Sequence, residues 1–214
     1  MSLAWARARS YFDIVAYTGD GGASTLQNHN LGVVPEMIWI KCRDSTGNWG
    51  VYHKVLPSIG KQLYLNLNGS YGTGYGSHIA PTATQFCVGG NAVMGGTNAT
   101  NASASNYIAY LFATAAGVSK VGSVSHSGSS TDVDCGFTSG ASFVMLKRTD
   151  DTGDWFYWDS ARSISSGNDT YSRFNHNDAE VSNQDYIDPL SSGFQITGDF
   201  TDGDYIFYAI AAIS

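Results

Sequence analysis

The amino-acid sequence predicts an all-β protein, an antiparallel β-sandwich of the jelly-roll or lectin-like kind. Short runs rich in β-branched and aromatic residues alternate with clusters of Gly, Asn, Asp and Ser, which is the pattern of strands joined by turns. No segment keeps apolar residues at the spacing of a helix face for three turns, so we expect little helix. A third observation, an internal repeat, predicts that the sandwich is built from two similar halves.

The repeat is clearest at two polar turns that are each followed by a tryptophan. Residues 40–49 return as residues 146–155 without a gap, so that Lys41 corresponds to Lys147. The join between the repeats is short and not rich in proline, which favours halves packed as one unit and related by a pseudo-twofold axis. The expected organisation is an N-terminal tag or linker over 1–10, a first β-repeat over 11–117 and a second over 118–214.

The strands can be placed one after another from their alternating pattern. The polar segments 43–48 and 149–154 each lie between two aromatic-rich strands, which is typical of hairpins. Asp202 and Gly203 predict a further hairpin turn before the last strand. The predicted strands of the first repeat lie near 11–18, 35–43, 48–54, 62–68, 84–89 and 106–114, and those of the second near 119–126, 142–149, 154–160, 170–175, 193–198 and 204–212.

Composition and charge exclude several classes of partner. The 214 residues carry a net charge of −7, and the nearest approach to a basic stripe is the pair Arg7 and Arg9. We therefore expect no nucleic-acid partner, since that would need a positive surface. No apolar stretch is long enough for a membrane span, so we expect no membrane insertion. Three distant cysteines form no disulfide framework, and Cys42 continues the apolar face of its strand.

Several motifs taken together are similar to one known family. They are residues 143–150, Trp155, 159–162 and 190–194 in the second repeat, and residues 17–21, 29–33, 35–38, 48–49, 51–53 and 107–113 in the first. This combination resembles the duplicated β-domain of uncharacterised function in bacteriophage tail and fibre proteins. The resemblance implies a virion-associated, extracellular protein and offers a homotrimer as one oligomeric state. It carries no assigned catalytic residue, and Cys42 stands where the family more often has Arg or Lys.

A loop and two aromatic clusters are the candidate ligand-binding features. Residues 68–78 are rich in Gly, Ser and Tyr, a composition shared with antibody paratopes, and Tyr71, Tyr75 and His78 are the candidate contacts there. The alternative is a solvated flexible loop. Exposed aromatic rings can stack on sugars, but strand alternation puts Trp155 and Trp158 on opposite faces, so at least one is core. The aromatic candidates are Trp49, Tyr52, Trp155 and Trp158.

Charged residues give two further candidate sites, each with a structural alternative. Asp159 and Arg162 could hold a sugar by paired hydrogen bonds, or they could pair with each other. Asp150, Asp151 and Asp154 could form a Ca²⁺ loop, or they could simply cap a turn. The structural reading is favoured in both cases, so we expect no cofactor, and Ca²⁺ is retained only as an unsupported alternative.

The sequence therefore predicts a non-enzymatic protein. Searches for a nucleophile elbow, a zinc-protease helix and a phosphate-binding loop find no matching motif in the sequence. The first hypothesis is a tail-fibre adhesin that binds a bacterial cell-surface glycan. The second is a structural spacer or assembly module that binds other virion proteins. The third is a depolymerase that acts on capsule or lipopolysaccharide.

Overall fold

A computed structural model describes residues 8–56, 63–70, 79–89, 100–162 and 164–213. The predicted fold class is confirmed, since 49% of the residues lie in strands and 1% in helices, and the sheets are antiparallel. Two compact units are present. Unit 1 comprises Met1–Leu65 and Tyr71–Ala113, and unit 2 comprises Asn66–Ser70 and Thr114–Ser214. Within the described residues, no helix is both long enough and apolar enough to cross a membrane.

The described residues of unit 1 contain seven strands, which form a large and a small sheet. The large sheet has the order β1-β7-β3-β4-β5, and the small sheet consists of β2 and β6. The strands are β1 (Phe12–Thr18), β2 (Thr25–Asn28), β3 (Met37–Cys42), β4 (Gly50–His53), β5 (Leu63–Tyr64), β6 (Gln85–Val88) and β7 (Asn106–Phe112). β3 and β4 pair directly, which confirms the first predicted hairpin.

In the part of unit 2 that the structure describes there are nine strands, again in a large and a small sheet. The large sheet has the order β13-β12-β11-β10-β16-β8 and the small one β14-β15-β9. The strands are β8 (Ser119–His126), β9 (Thr131–Asp134), β10 (Ala141–Arg148), β11 (Trp155–Asp159), β12 (Asp169–Arg173), β13 (Val181–Gln184), β14 (Ile187–Leu190), β15 (Gly193–Ile196) and β16 (Gly203–Ala211). β10 and β11 pair directly, as predicted for the second hairpin.

The two large sheets share a strand order. The sequence β1-β7-β3-β4-β5 in unit 1 corresponds, strand for strand along the chain, to β8-β16-β10-β11-β12 in unit 2. The predicted duplication requires such agreement. The duplication itself, its boundary near residue 117 and the pseudo-twofold axis stay predictions.

Each unit buries its core between its large and its small sheet. In unit 1, Phe86 and Val88 of the small sheet pack with Ile38, Tyr107 and Leu111 of the large one. The core of unit 2 is formed in the same way and is richer in aromatic rings. It includes Phe194 and Ile196 from the small sheet and Leu146, Trp158 and Phe207 from the large one. Burial of these apolar side chains is the main force that holds each pair of sheets together.

All twelve predicted strands are present, and four strands were missed. The missed strands are β2, β9, β13 and β14, each four residues long. They are short and largely polar, and β14 contains Pro189, so the alternating pattern is weak in each. The predicted hairpin turn at Asp202 and Gly203 is wrong. β15 and β16 lie in different sheets, so this turn carries the chain from one sheet to the other.

Gly122 provides a test of how tightly unit 2 is packed. It lies opposite Phe207 in the pairing of β8 with β16, and a Cβ atom at Gly122 would lie 2.4 Å from the Phe207 ring. We expect Gly122→Ala to lower the free energy of unfolding of unit 2 by about 1–3 kcal/mol, because the ring must move within a close-packed core. Urea denaturation followed by tryptophan fluorescence measures this.

Gly69→Ala is the matched control for that substitution. Gly69 also belongs to unit 2, and no atom lies within 4 Å of the position its Cβ would take. Its denaturation curve should superimpose on that of the wild-type protein. Equal curves for Gly122→Ala and Gly69→Ala would show that Phe207 does not pack on Gly122.

Candidate functional site

Each of the two hairpins contains a lysine whose ammonium group donates hydrogen bonds to backbone carbonyl groups of the turn. The Lys147 Nζ donates hydrogen bonds to the carbonyl oxygens of Arg148 at 2.9 Å, Gly153 at 2.8 Å and Asn68 at 3.2 Å. Lys147 is fully buried, and burial lowers its pKa to about 8. In the first repeat, the Lys41 Nζ donates to carbonyl oxygens of its own turn, at Ser45 and Gly47. Both lysines therefore hold a turn in place.

The acidic side chains of the second hairpin are engaged by neighbouring groups. Asp150 pairs with Arg148 at 2.8 Å, and the hydrogen bond from that guanidinium lowers the pKa of Asp150 to about 2. Asp151 accepts a hydrogen bond from the backbone N–H of Thr152 at 2.7 Å, which is a turn cap. These contacts correspond to the predicted structural alternative.

Asp154 is the centre of a polar cluster in the same hairpin. It accepts hydrogen bonds from Asn175 at 2.7 Å, Arg173 at 2.9 Å and the His176 Nε2 at 3.0 Å. Burial raises the pKa of Asp154, but these donors outweigh burial and lower it below its usual value. Over the parts of the chain that the structure describes, no group of three or more His, Cys, Asp or Glu side chains is arranged to hold a metal ion.

Asp159 and Arg162 pair with each other. The Arg162 Nε donates to Asp159 Oδ2 at 3.0 Å, and its Nη2 donates to the same oxygen. Arg162 Nη1 also donates to the Ser172 hydroxyl, and the guanidinium lies 5.0 Å from the centre of the Tyr157 ring. Asp159 Oδ1 caps the backbone N–H groups that follow it. The pair ties its loop to the sheet.

The predicted aromatic platform is not formed by the tryptophans of the second repeat. Trp155 and Trp158 are both fully buried, on opposite faces of the large sheet. A ring without solvent contact cannot stack on a sugar, so this prediction is wrong for both residues. Trp49 and Tyr52 are half-buried. Trp49 stacks on Tyr110 with 6.3 Å between ring centres, and Tyr52 packs on the core of unit 1.

The candidate contacts of the Gly- and Tyr-rich loop and the three cysteines complete the residues named from the sequence. Tyr71, Tyr75 and His78 lie outside the described residues. The three cysteines, Cys42, Cys87 and Cys135, are free and buried, in line with the sequence interpretation of Cys42 as a core residue.

Unit 1 contains a cleft that the sequence analysis did not predict as a site. Its volume is about 340 Å³, and it is open to solvent on one side. Three chain segments meet there: the residues before β1, those after β2 and those before β6. The lining residues are Arg9, His29, Asn30, Gly32, Ala83 and Thr84.

Pairing of β2 with β6 positions the floor of this cleft. The backbone N–H of His29 donates to Thr84 O at 2.8 Å, just beyond the last pair of the small sheet. The buried Asp13 carboxylate accepts the N–H of Asn30 at 2.7 Å and that of Ile14 at 2.9 Å. The segment after β2 is therefore fastened both to the small sheet and to β1 of the large one.

His29 supports the cleft wall in one fixed tautomer. Its Nδ1 accepts the N–H of Leu31 at 3.2 Å, so the ring proton lies on Nε2, which donates to Thr82 O at 3.1 Å. The ring is buried, and this burial lowers the pKa of His29 below 6.5. Because both ring nitrogens are engaged by backbone groups, His29 holds the wall in shape and is not placed to transfer protons.

Three polar side chains of the cleft remain free to meet a ligand. Arg9, Asn30 and Thr84 are exposed, and their side chains make no hydrogen bond or ion pair with any other residue that the structure describes. The guanidinium of Arg9 donates hydrogen bonds. The carboxamide of Asn30 and the hydroxyl of Thr84 can both donate and accept them. Such a set suits a small ligand rich in hydroxyl groups.

Two parts of this cleft are recognisable in the sequence, but the sequence does not show that they meet. Residues 29–33 belong to the motifs that carry the phage resemblance, and Arg9 stood out as a rare basic residue. Thr84 joins them only through the pairing of β2 with β6, and β2 gives too weak a signal to be predicted.

Comparisons with other proteins give a family but no activity. A family model described as a domain of unknown function, DUF7483, matches residues 2–212. No curated protein and no solved structure matches the chain.

Lys147→Met should expose the role of the lysine in the second hairpin. The substitution removes the Lys147 donor from the part-buried carbonyl oxygens of Arg148 and Gly153, which costs about 1–3 kcal/mol of unfolding free energy. Lys41→Met should cost less, because Lys41 is half-exposed and water can replace its hydrogen bonds. Amide hydrogen exchange over residues 149–154, with urea denaturation of each variant, measures both effects. Unchanged exchange in Lys147→Met would contradict the assigned role.

The pKa of His29 predicts acid sensitivity of the cleft. Since the folded protein binds this proton less tightly than the unfolded chain does, the contribution of His29 to stability is constant at pH 7 and above and falls as the pH drops below about 6.5. Protonated Nδ1 could no longer accept the Leu31 N–H. His29→Gln should remove this part of the pH dependence of thermal unfolding. NMR titration of the His29 ring with a midpoint at or above 6.5 would contradict the assignment.

Proposed function

The chain belongs to this family, whose description carries no activity, and we propose from the structure that it is a non-catalytic sugar-binding domain. The observation that carries the proposal is the cleft of unit 1, where three unpaired polar side chains surround a small opening. The backbone that supports them is held by hydrogen bonds from β1 and from the small sheet. A rigid support lowers the entropy cost of binding.

The size of the cleft supports a small ligand. Its volume of about 340 Å³ lies at the lower end of the range of about 300–1,000 Å³ for ligand pockets. That is room for a sugar unit or a short part of a chain of sugars. Ala83 and the His29 ring give the cleft a modest apolar surface, and Asn30 and Thr84 can form hydrogen bonds with sugar hydroxyls.

The chemistry of the cleft supports binding over catalysis. His29 in the cleft wall and Asp13, which supports the segment after β2, are each hydrogen-bonded to backbone groups. Glycoside hydrolysis commonly needs two carboxyl groups on either side of the bond that breaks, and the cleft lining includes none. We therefore place the depolymerase hypothesis last.

The biological setting is part of the same proposal. The motif resemblance to phage tail and fibre proteins supports a virion location, outside the cell, with a bacterial cell-surface glycan as partner. One of those motifs, residues 29–33, forms a wall of the cleft.

A structural module is the second candidate. The specific observation in its favour is that both repeated hairpins are closed by internal hydrogen bonds, so their turns are built for rigidity. A spacer or assembly domain would need other virion proteins or copies of itself as partners. A stable trimer by light scattering, with no response to any sugar, would favour this candidate over sugar binding.

Titration with simple sugars tests the sugar-binding proposal. We expect chemical-shift changes at the amides of residues 29–32 and 83–84 when monosaccharides are added to ¹⁵N-labelled protein. We expect dissociation constants of about 1 mM for one open cleft, which corresponds to a binding free energy of about −4 kcal/mol. Asn30→Ala and Thr84→Val should each weaken binding about two- to tenfold, because each removes a hydrogen bond.

Exposed residues of the same types provide matched controls for these variants. Asn183→Ala lies on β13 in unit 2, and Thr46→Val lies in the first hairpin turn. Both should bind sugars as the wild-type protein does. Shift changes that map away from the cleft, or that persist unchanged in both cleft variants, would contradict the proposal.

A further inference from the structure

Arg9 gives the cleft a positive charge that is held against the backbone. Its side chain lies over Gly32, where a Cβ atom would be 3.5 Å from both the Nε and the Nη2 atoms. Gly32 has a φ of +81°, a conformation that other residues rarely adopt. The absence of a side chain at Gly32 thus leaves room for the Arg9 guanidinium close to the backbone.

The charge of Arg9 has no partner among the described residues. In a chain of net charge −7, three of the four other described arginines are paired with a carboxylate: Arg148 with Asp150, Arg162 with Asp159 and Arg173 with Asp154. The fourth, Arg43, makes no ion pair with a described residue either, but it lies in an exposed turn and does not line the cleft. Asp13 underlies the same part of unit 1, but its two oxygens accept the backbone N–H groups of Ile14 and Asn30. Arg9 is therefore a free cation beside two free neutral groups.

We propose that the cleft selects sugars that carry an anionic substituent, a carboxylate or a phosphate. Arg9 binds the anionic group through its fork of N–H donors, and Asn30 and Thr84 bind neighbouring hydroxyls. Guanidinium groups match the geometry of both anions, and hydrogen bonds between charged partners are stronger than neutral ones. This inference rests on the proposed function and names the ligand class of the same cleft.

The expected preference is moderate, because Arg9 is exposed. A fully solvated ion pair contributes little to binding, whereas a pair held at one geometry within a cleft contributes more. We expect about five- to tenfold tighter binding of an anionic sugar than of its neutral parent. The preference should shrink at high ionic strength, since the screening length falls from about 10 Å at 0.1 M salt to about 3 Å at 1 M.

The test compares glucose, glucuronic acid and glucose 6-phosphate by ¹⁵N shift titration of the full chain. Wild-type protein should bind at least one of the two anionic sugars about five- to tenfold more tightly than glucose. Arg9→Gln should bind the three sugars with equal affinity, so that the preference for an anionic sugar is lost. Arg9→Lys keeps the charge but not the fork and should retain part of the preference. The tighter of the two anionic ligands identifies the carboxylate or the phosphate.

Arg43→Gln is the matched control, because it removes the same charge from an exposed turn of unit 1. It should leave the preference intact. Equal affinity for glucose and both anionic sugars, or a preference that survives in Arg9→Gln, would overturn this inference while sugar binding stands. Absence of binding by all three sugars would overturn both.

Discussion

The structure of each unit depends on the burial of one face of a large antiparallel sheet against a small one. In unit 1 the small sheet has only two strands, so the contact of Phe86 and Val88 with the large sheet must fix its position. Burial of apolar surface supplies most of the favourable free energy here, and the backbone hydrogen bonds between β2 and β6 fix how these two strands pair. The cleft is a consequence of this packing, since its walls are the ends of the small sheet.

Charge is used in two different ways in this protein. In unit 2, three arginines and one buried lysine are committed to carboxylates or carbonyl oxygens. These groups close turns and tie loops to strands, and they are therefore part of the scaffold. Arg9 in unit 1 is different, because its guanidinium lies on the Gly32 backbone and meets no carboxylate among the described residues. It also differs from the exposed Arg43, because it lines the cleft beside Asn30 and Thr84.

The aromatic residues show why composition is a poor guide to a binding surface. Tryptophans that follow a polar turn look well placed for ligand contact, yet Trp155 and Trp158 are fully buried. Large rings bury more apolar area than other side chains, so burial is favoured for the rings on both faces of a strand that carries them. The exposed groups of the cleft are instead polar, and they lie on three segments that flank strands, where loops commonly carry function.

The sequence by itself determined the all-β class, twelve of the strands and the two hairpins, because period-two alternation and turn residues are local signals. It also found the lysine positions of both hairpins through the repeat, though not what Lys147 does. Only the tertiary structure decided which rings are buried and which charges are paired. It alone brought Arg9, Asn30 and Thr84 together, because that meeting depends on the pairing of β2 with β6 across more than fifty residues of chain. Contacts between distant segments leave no periodic pattern in the sequence.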